Sequence, residues 1–401
     1  MQRCWWLCCL PACLGMVCAA QQTPAPQAAP HPASDAPIQL VPRTPQEREE
    51  RYNRLHRVLL NVQVTDSSGR PVRGLRQEDF SVLDNQHVQK IATFRAIEDG
   101  AAARAHVLLV IDTLNNTARE LAYERKEIEK LLRSGPAVVR YPISFVTLVH
   151  GEAVVEKASR SVEDLNSELA RLTANVHEAD CMDDWKNAGL DAKNMVQTSV
   201  DDSSTMHRPD LVEGIGNCLN RKFQESIRAL FRIAIEEADV PGRTIVIWVG
   251  SGWPPLTGPR FSPDTPHQRE SFFENLVQVS TKLREAQITL DAVSWPETSR
   301  ENKLGNVDFD VLSKGTRTVG EAQAASLALP VLASQTGGRV YSHEKGLAAD
   351  VAHCLDDADA YYVLSFDSAP AADADEFRSI EVKTDRPELT VRSTTVYYAE
   401  P

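Results

Sequence analysis

Apolar residues fall in three rhythms along this chain. Between residues 58 and 64 they alternate, with Val58, Leu60, Val62 and Val64 spaced by two. Successive strand side chains point to opposite faces, so this spacing predicts a strand with one buried face. Short strands are expected again at 81–85 and 91–94, and after them at 361–366, 377–383 and 389–398. Turn residues separate them, as in Asp66-Ser67-Ser68-Gly69 and Thr384-Asp385-Arg386-Pro387. The second rhythm is unbroken. Val107 to Ile111 and Ile245 to Val249 are apolar throughout, as befits strands covered on both faces. Residues 143–149 and 288–293 are expected to be strands too, 153–156 turn back through Gly151, and 340–341 make one more short strand.

The third rhythm is helical. Leu121, Ile128, Leu131 and Leu132 share a face over 117–133, and Phe223, Ile227, Leu230, Phe231 and Ala234 do so over 223–238, where Pro241-Gly242 ends the run. Further helices are expected at 162–172, 272–286 and 346–355, and at 322–334 with an interruption at Pro330 and a Thr336-Gly337-Gly338 cap. Strands alternating with helices of this length predict an α/β domain with a doubly wound, Rossmann-like sheet over 104–357. The alternating strands at 54–98 and 358–401 are too short to stand alone, so the simplest arrangement pairs them in one β-sandwich with the α/β domain inserted. Residues 175–220 are polar, acidic and aperiodic, and read as an inserted loop.

The first twenty residues differ from the rest. Arg3, an apolar run from Trp5 to Val17 and the small pair Ala19-Ala20 have the layout of an export signal at 1–20. Prolines recur through 21–50, which reads as an extended linker. Export implies the periplasm, the cell surface or the medium, and Leu10-Pro11-Ala12-Cys13 leaves lipid anchoring open. No stretch of the mature chain is long and apolar enough for a membrane helix. A net charge of -13 argues against a nucleic-acid binder, which would show a basic face, and against docking on anionic lipid. Of eight cysteines, Cys181, Cys218 and Cys354 remain after the signal. A Cys181–Cys218 disulfide closing the insertion and free thiols are both open readings.

Ligands in open α/β sheets bind beyond the carboxyl ends of the strands. Two turns stand there: Asp112-Thr113-Leu114-Asn115-Asn116, and Gly250-Ser251-Gly252-Trp253-Pro254-Pro255. Asp112 has two readings, as a cation ligand or as a helix cap. Ser251 reads as turn chemistry or as a ligand. Trp253 reads as an exposed interface anchor, with Asn115 beside it, or as packing against the insertion. Enzyme signatures fall short. Val249 replaces the first glycine of a nucleophile elbow around Ser251, and His177 to Asp184 match no zinc spacing.

Residues 106–116 resemble the first strand and metal loop of von Willebrand factor A (vWA) domains, whose pattern is Asp-x-Ser-x-Ser. The chain as a whole resembles the bacterial VWFA-related family first defined in acidobacteria. The resemblance rests on Val64-Thr65-Asp66, Gly69 to Leu75, Glu78-Asp79-Phe80, Leu108 to Thr113, Pro241-Gly242-Arg243, Thr336-Gly337-Gly338 and Tyr361 to Leu364. It implies a vWA-like sheet and a divalent cation (Mg²⁺, Mn²⁺ or Ca²⁺) held by Asp112, Asn116 and Ser251, completed by a carboxylate of a protein partner. Leu114 departs from that pattern, because its side chain cannot ligate. The resulting expectation is an exported adhesion module that is not an enzyme. Its rival is a cell-envelope scaffold whose metal site has lost its function.

Overall fold

The computed structural model describes residues 56–98, 105–134, 140–149, 151–172, 209–250, 252–253, 265–293, 309–341 and 346–401, with side chains from residue 217 onward in the third helix. The segments expected to be an export signal and a linker, Ser251, Cys181 and the expected insertion up to residue 208 lie outside the described residues.

Four strands come first: β1 (Arg57–Thr65), β2 (Phe80–Asp84), β3 (His87–Gln89) and β4 (Thr93–Ile97). The α/β segment follows with β5 (His106–Ile111), α1 (Ala118–Arg133), β6 (Ile143–Val149), β7 (Glu152–Val155), α2 (Val162–Leu172), α3 (Pro209–Glu237), β8 (Thr244–Val249) and α4 (Pro266–Glu285). It continues with β9 (Ile288–Val293), a single turn α5 (Phe309–Leu312), α6 (Leu329–Gln335), β10 (Val340–Tyr341) and α7 (Leu347–Asp356). The chain closes with β11 (Tyr361–Asp367), β12 (Glu376–Thr384), β13 (Thr390–Arg392) and β14 (Val396–Ala399).

The central sheet runs β10-β9-β8-β5-β6-β7. All its pairings are parallel except β6 with β7, which turn at Gly151 (φ 77°). Numbered within the sheet this is the doubly wound order, with its switch point between β5 and β8. Apolar residues of β5 and β8 divide between two cores. Val246 and Trp248 pack with Phe223 and Leu230 of α3, Leu276 of α4 and Leu332 of α6. Ile245, Ile247 and Val249 pack with Ile128 of α1, Leu165 of α2 and Val351 of α7. Coverage on both faces is why these strands read as unbroken apolar runs.

The terminal strands form two antiparallel sheets, β13-β1-β11-β4 and β14-β12-β2-β3. Val58, Leu60, Val62 and Val64 of β1 share one core with Val82 of β2, Tyr362 and Leu364 of β11 and Ile380 of β12. Burying about 1.5–3 kcal/mol worth of apolar surface per such side chain is what makes short strands stable together.

Four details differ from the expectations. The strand expected over 389–398 breaks at residues 393–395, so β13 pairs with β1 while β14 pairs with β12 in the other sheet. A hairpin strand, β3, follows Asn85 and Gln86, whose φ of 47° and 67° make the two-residue turn. Helix α3 starts at Pro209, inside the stretch expected to lack structure. Pro330 opens α6 rather than interrupting a longer helix, since the first turn needs no N–H there.

Candidate functional site

Two turns meet at the switch point. Asp112 follows β5 and Gly250 follows β8, and the Asp112 amide donates to the Val249 carbonyl at 3.1 Å. Gly250 has φ 152°, and a Cβ there would lie 2.6 Å from the Asp112 Cβ. Only glycine lets the two turns approach this closely.

Asp112 is fully buried, at 0% exposure. Its Oδ1 accepts from the amides of Leu114 (3.3 Å) and Asn115 (2.9 Å) and from Asn115 Nδ2 (3.0 Å). Its Oδ2 accepts from Asn115 Nδ2 (2.9 Å) and from Trp248 Nε1 (3.0 Å). Burial pushes the carboxyl above its ordinary range, opposed by the bonds from Trp248 and Asn115. The backbone N–H groups that Asp112 satisfies belong to its own turn. Capping of α1 falls instead to Thr117, which accepts from the Glu120 amide at 3.3 Å while Glu120 reaches back.

Asn115 Nδ2 also lies 2.9 Å from Ser226 Oγ, on α3. Ser226 is itself buried and donates to the Lys222 carbonyl at 2.8 Å. One amide nitrogen thus touches both oxygens of a carboxylate and a hydroxyl from a distant helix. The other end of the same amide, Oδ1, is buried with no hydrogen-bond partner among the described residues.

Asn116 points the other way, its Nδ2 lying 2.7 and 2.8 Å from the two carboxyl oxygens of Glu124. Glu124 is 1% exposed, and burial, then the nearby charges of Asp112 and Glu120, hold its carboxyl well above the usual range. Sequence reasoning missed Glu124. The signal was its place between Leu121 and Ile128 on the apolar stripe of α1, where a carboxyl enters the core.

Leu114 is 1% exposed and packs in the core with Trp248 and Phe223. Trp253 is not the exposed anchor expected of it, and the alternative, packing against the insertion, falls on residues outside those described. Trp253 is 4% exposed, stands edge-on to Trp248 with centroids 4.9 Å apart, and donates to the Leu327 carbonyl at 2.7 Å. An indole buries readily once its N–H has a partner. The structure therefore joins Asp112, Asn115 and Asn116 around Gly250, reaches Trp253 through Trp248, and adds Ser226 and Glu124.

The described residues do not fit a divalent cation at Asp112; Ser251, the third expected ligand, lies outside them. A hard cation needs several oxygen ligands and a free path to the carboxylate. Here N–H donors meet both Asp112 oxygens, Leu114 contributes only carbon, and the Asn116 amide nitrogen faces Glu124. Among the described residues no group of three or more His, Cys, Asp or Glu side chains is placed to hold a metal. Cys218 is disulfide-bonded, and a pairing with Cys181 lies outside the described residues.

No protein-family model matches the chain, and no curated protein matches it. Among solved structures it is similar to the human COPII-coat protein Sec24c, at 10% identity and a TM-score of 0.27, over 74% of this chain and 43% of that one. The chain therefore spans less than half the length of that coat protein. It is also similar to a manganese-loaded TRAP protein of Plasmodium vivax, at 8% identity and a TM-score of 0.29, covering 76% of this chain and 97% of that one. The pilus adhesin RrgA of Streptococcus pneumoniae aligns at 9% identity and a TM-score of 0.20, over 53% of this chain and 28% of its own. Likeness at this level assigns no activity. Among the described residues no helix is long and apolar enough to cross a membrane.

Proposed function

We propose that this chain is an exported vWA-like module that binds a protein partner without a cation. The vWA-like reading is supported by the doubly wound strand order and by an Asp at the end of the first parallel strand. The observation that carries the cation-free reading is the Asn115 amide. Its nitrogen lies within 3.0 Å of both Asp112 oxygens and of Ser226 Oγ, where a cation would have bridged the same three oxygens. The amide supplies hydrogen bonds in place of coordination, and it ties the β5 turn to α3 without a metal.

On this reading Asp112 organises the surface rather than touching the partner. Partner contacts fall to the loops at the carboxyl edge of the parallel sheet, beyond β5 and β8. The scaffold reading also has a supporting observation, since complete burial of Asp112 and Ser226 is what a purely structural centre needs. The two readings separate on capture.

The test has two arms on the mature chain. Calorimetric titration of Mg²⁺, Mn²⁺ and Ca²⁺ into chelator-stripped protein is expected to show no saturable heat. Immobilised protein is then expected to retain a defined partner from an envelope extract equally well in chelator and in Mg²⁺. Saturable cation binding abolished by Asp112→Ala would overturn the cation-free reading. Failure to retain any partner in either buffer would leave the scaffold.

A further inference from the structure

The opposite edge of the parallel sheet carries a different feature. A cavity of about 190 Å³ lies between the outer face of the β1–β11–β4 sheet and the segment that leads into β8. Its sheet side is a cross-strand row, with Asn61 opposite Val363 and Val363 opposite Arg95. Its other side runs from Ala238 to Arg243 and along Glu285 to Gln287.

Arg243 forms the floor. It is 2% exposed, with its guanidinium 4.9 Å over the Tyr361 ring. Every hydrogen bond it makes among the described residues goes to a neutral acceptor. Nε donates to Thr289 Oγ1 at 3.1 Å, and Nη1 donates to Gln63 Oε1 and to the Asp357 carbonyl, each at 3.0 Å. Nη2 donates to none of the described residues. Two buried carboxyls lie near Arg243, and both are bonded elsewhere: Asp357 to Arg339 (2.7 Å) and Arg392 (2.6 Å), and Asp291 to the Arg339 amide (2.6 Å).

Arg95 adds a second guanidinium at the mouth, where it is exposed and makes no ion pair among the described residues. The cavity's carboxylate, Glu285, is paired with Lys282 at 2.7 Å. On a chain of net charge -13, this is a pocket whose free charge is positive. Arg243 shares the field of the buried Asp357 and Asp291 but hydrogen-bonds to neither carboxylate, so its Nη2 is left to meet a bound anion. The remaining lining includes Leu59, Val240 and Val363, which suit a carbon body and give nothing to a bare oxyanion. The volume corresponds to about six waters, enough for a molecule of a few carbons.

We propose that this cavity binds a small organic carboxylate, its oxygens on Arg243 and Arg95 and its aliphatic part against Leu59, Val240 and Val363. The site is separate from the partner-binding edge and stands or falls without it. The test is calorimetric titration of propionate, butyrate and succinate into the mature chain, with inorganic phosphate beside them. Two variants at exposed positions accompany it, Arg95→Gln and Ala238→Phe, each checked for an unchanged melting temperature. At least one carboxylate is expected to bind saturably. Arg95→Gln should weaken it about tenfold, as loss of one charge-assisted contact does, and Ala238→Phe should abolish it by filling the mouth. The proposal is overturned if none of the three carboxylates saturates, if binding survives both substitutions unchanged, or if phosphate binds as tightly as the best carboxylate.

Discussion

Asp112 and Asp357 are both at 0% exposure in one α/β body, and they are kept in opposite ways. Asp112, at the carboxyl edge of β5, receives only neutral N–H donors from Trp248, Asn115 and Leu114. Burial therefore wins, and its carboxyl is pushed up. Asp357 lies beside Arg243, at the residue before β8, and accepts from Arg339 at 2.7 and 3.0 Å and from Arg392 at 2.6 Å. Burial works against its charge too, yet Arg392, then Arg339 and Arg243, hold it below its ordinary range. Neighbouring Asp291, with no guanidinium bonded to its side chain, is pushed up to about 6 by burial and by Asp357. Depth alone does not set a buried carboxyl's charge. The donors it is given decide it.

The largest expected effect is at the charged member. Asp357→Ala would strand Arg339 and Arg392, each with a side chain only 18% exposed, and also loosen the tie between β13 and the α/β body. A loss of about 3–5 kcal/mol in chemical denaturation is expected, as for other broken buried pairs. A loss below 1 kcal/mol would mean that the network contributes no more than a surface pair.

Gly250→Ala comes next. The added methyl meets the Asp112 Cβ at 2.6 Å and forces an L residue to φ 152°. About 2–3 kcal/mol of destabilisation is expected from strain and overlap together. Gly252→Ala is the control for overlap: it too takes a positive φ, of 71°, but its Cβ would meet nothing nearer than Leu329 at 3.8 Å. If both variants melt alike, the close approach of the two turns is not what fixes Gly250.

Val58, Leu60, Val62 and Val64 announced both the strand and its buried face, because period two is a local property. Asp112 and Gly250 were visible as strand-end residues. Their partners were not, because the contacts that define the site are remote. Trp248 is 136 positions from Asp112, and Ser226 is 111 from Asn115. Trp253 looked exposed beside two prolines because its acceptor, Leu327, lies 74 residues on. The Asp357 cluster left no local trace at all, since its arginines come from β13 and from the turn before β10.

The two aspartates should also part company in acid. Asp112 has a raised folded pKa, so its contribution is full below the ordinary 3.8 and is lost as pH rises through the higher folded value. Asp357 has a lowered folded pKa, so its contribution is full above 3.8 and is lost as pH falls through the lower folded value. Asp112→Asn keeps the shape and leaves one oxygen for Trp248 or Asn115, at a cost of about 1–2 kcal/mol for the mispaired amide. Its stability should fall less steeply above pH 4 than that of the parent, whereas Asp357→Asn should flatten the limb below pH 4. Identical pH profiles for the two variants would break the comparison.

The smallest effect tests whether the Asn115 amide stands where a cation would. Asn115→Asp replaces its nitrogen with an oxygen facing Asp112 and Ser226, which turns a donor into an acceptor at the same point. Without metal, two adjoining buried carboxyls repel and the melting temperature should drop. With Mn²⁺ at ten times its dissociation constant, linkage returns about 1.4 kcal/mol, a small upward step in melting temperature that the parent should not show. A parent protein that is stabilised by Mn²⁺ to the same degree would place a cation at Asp112 in the native chain. A variant indifferent to Mn²⁺ would show instead that the Asp112 pocket is too closed for any ion, and that Asn115 serves only to join the β5 turn to α3.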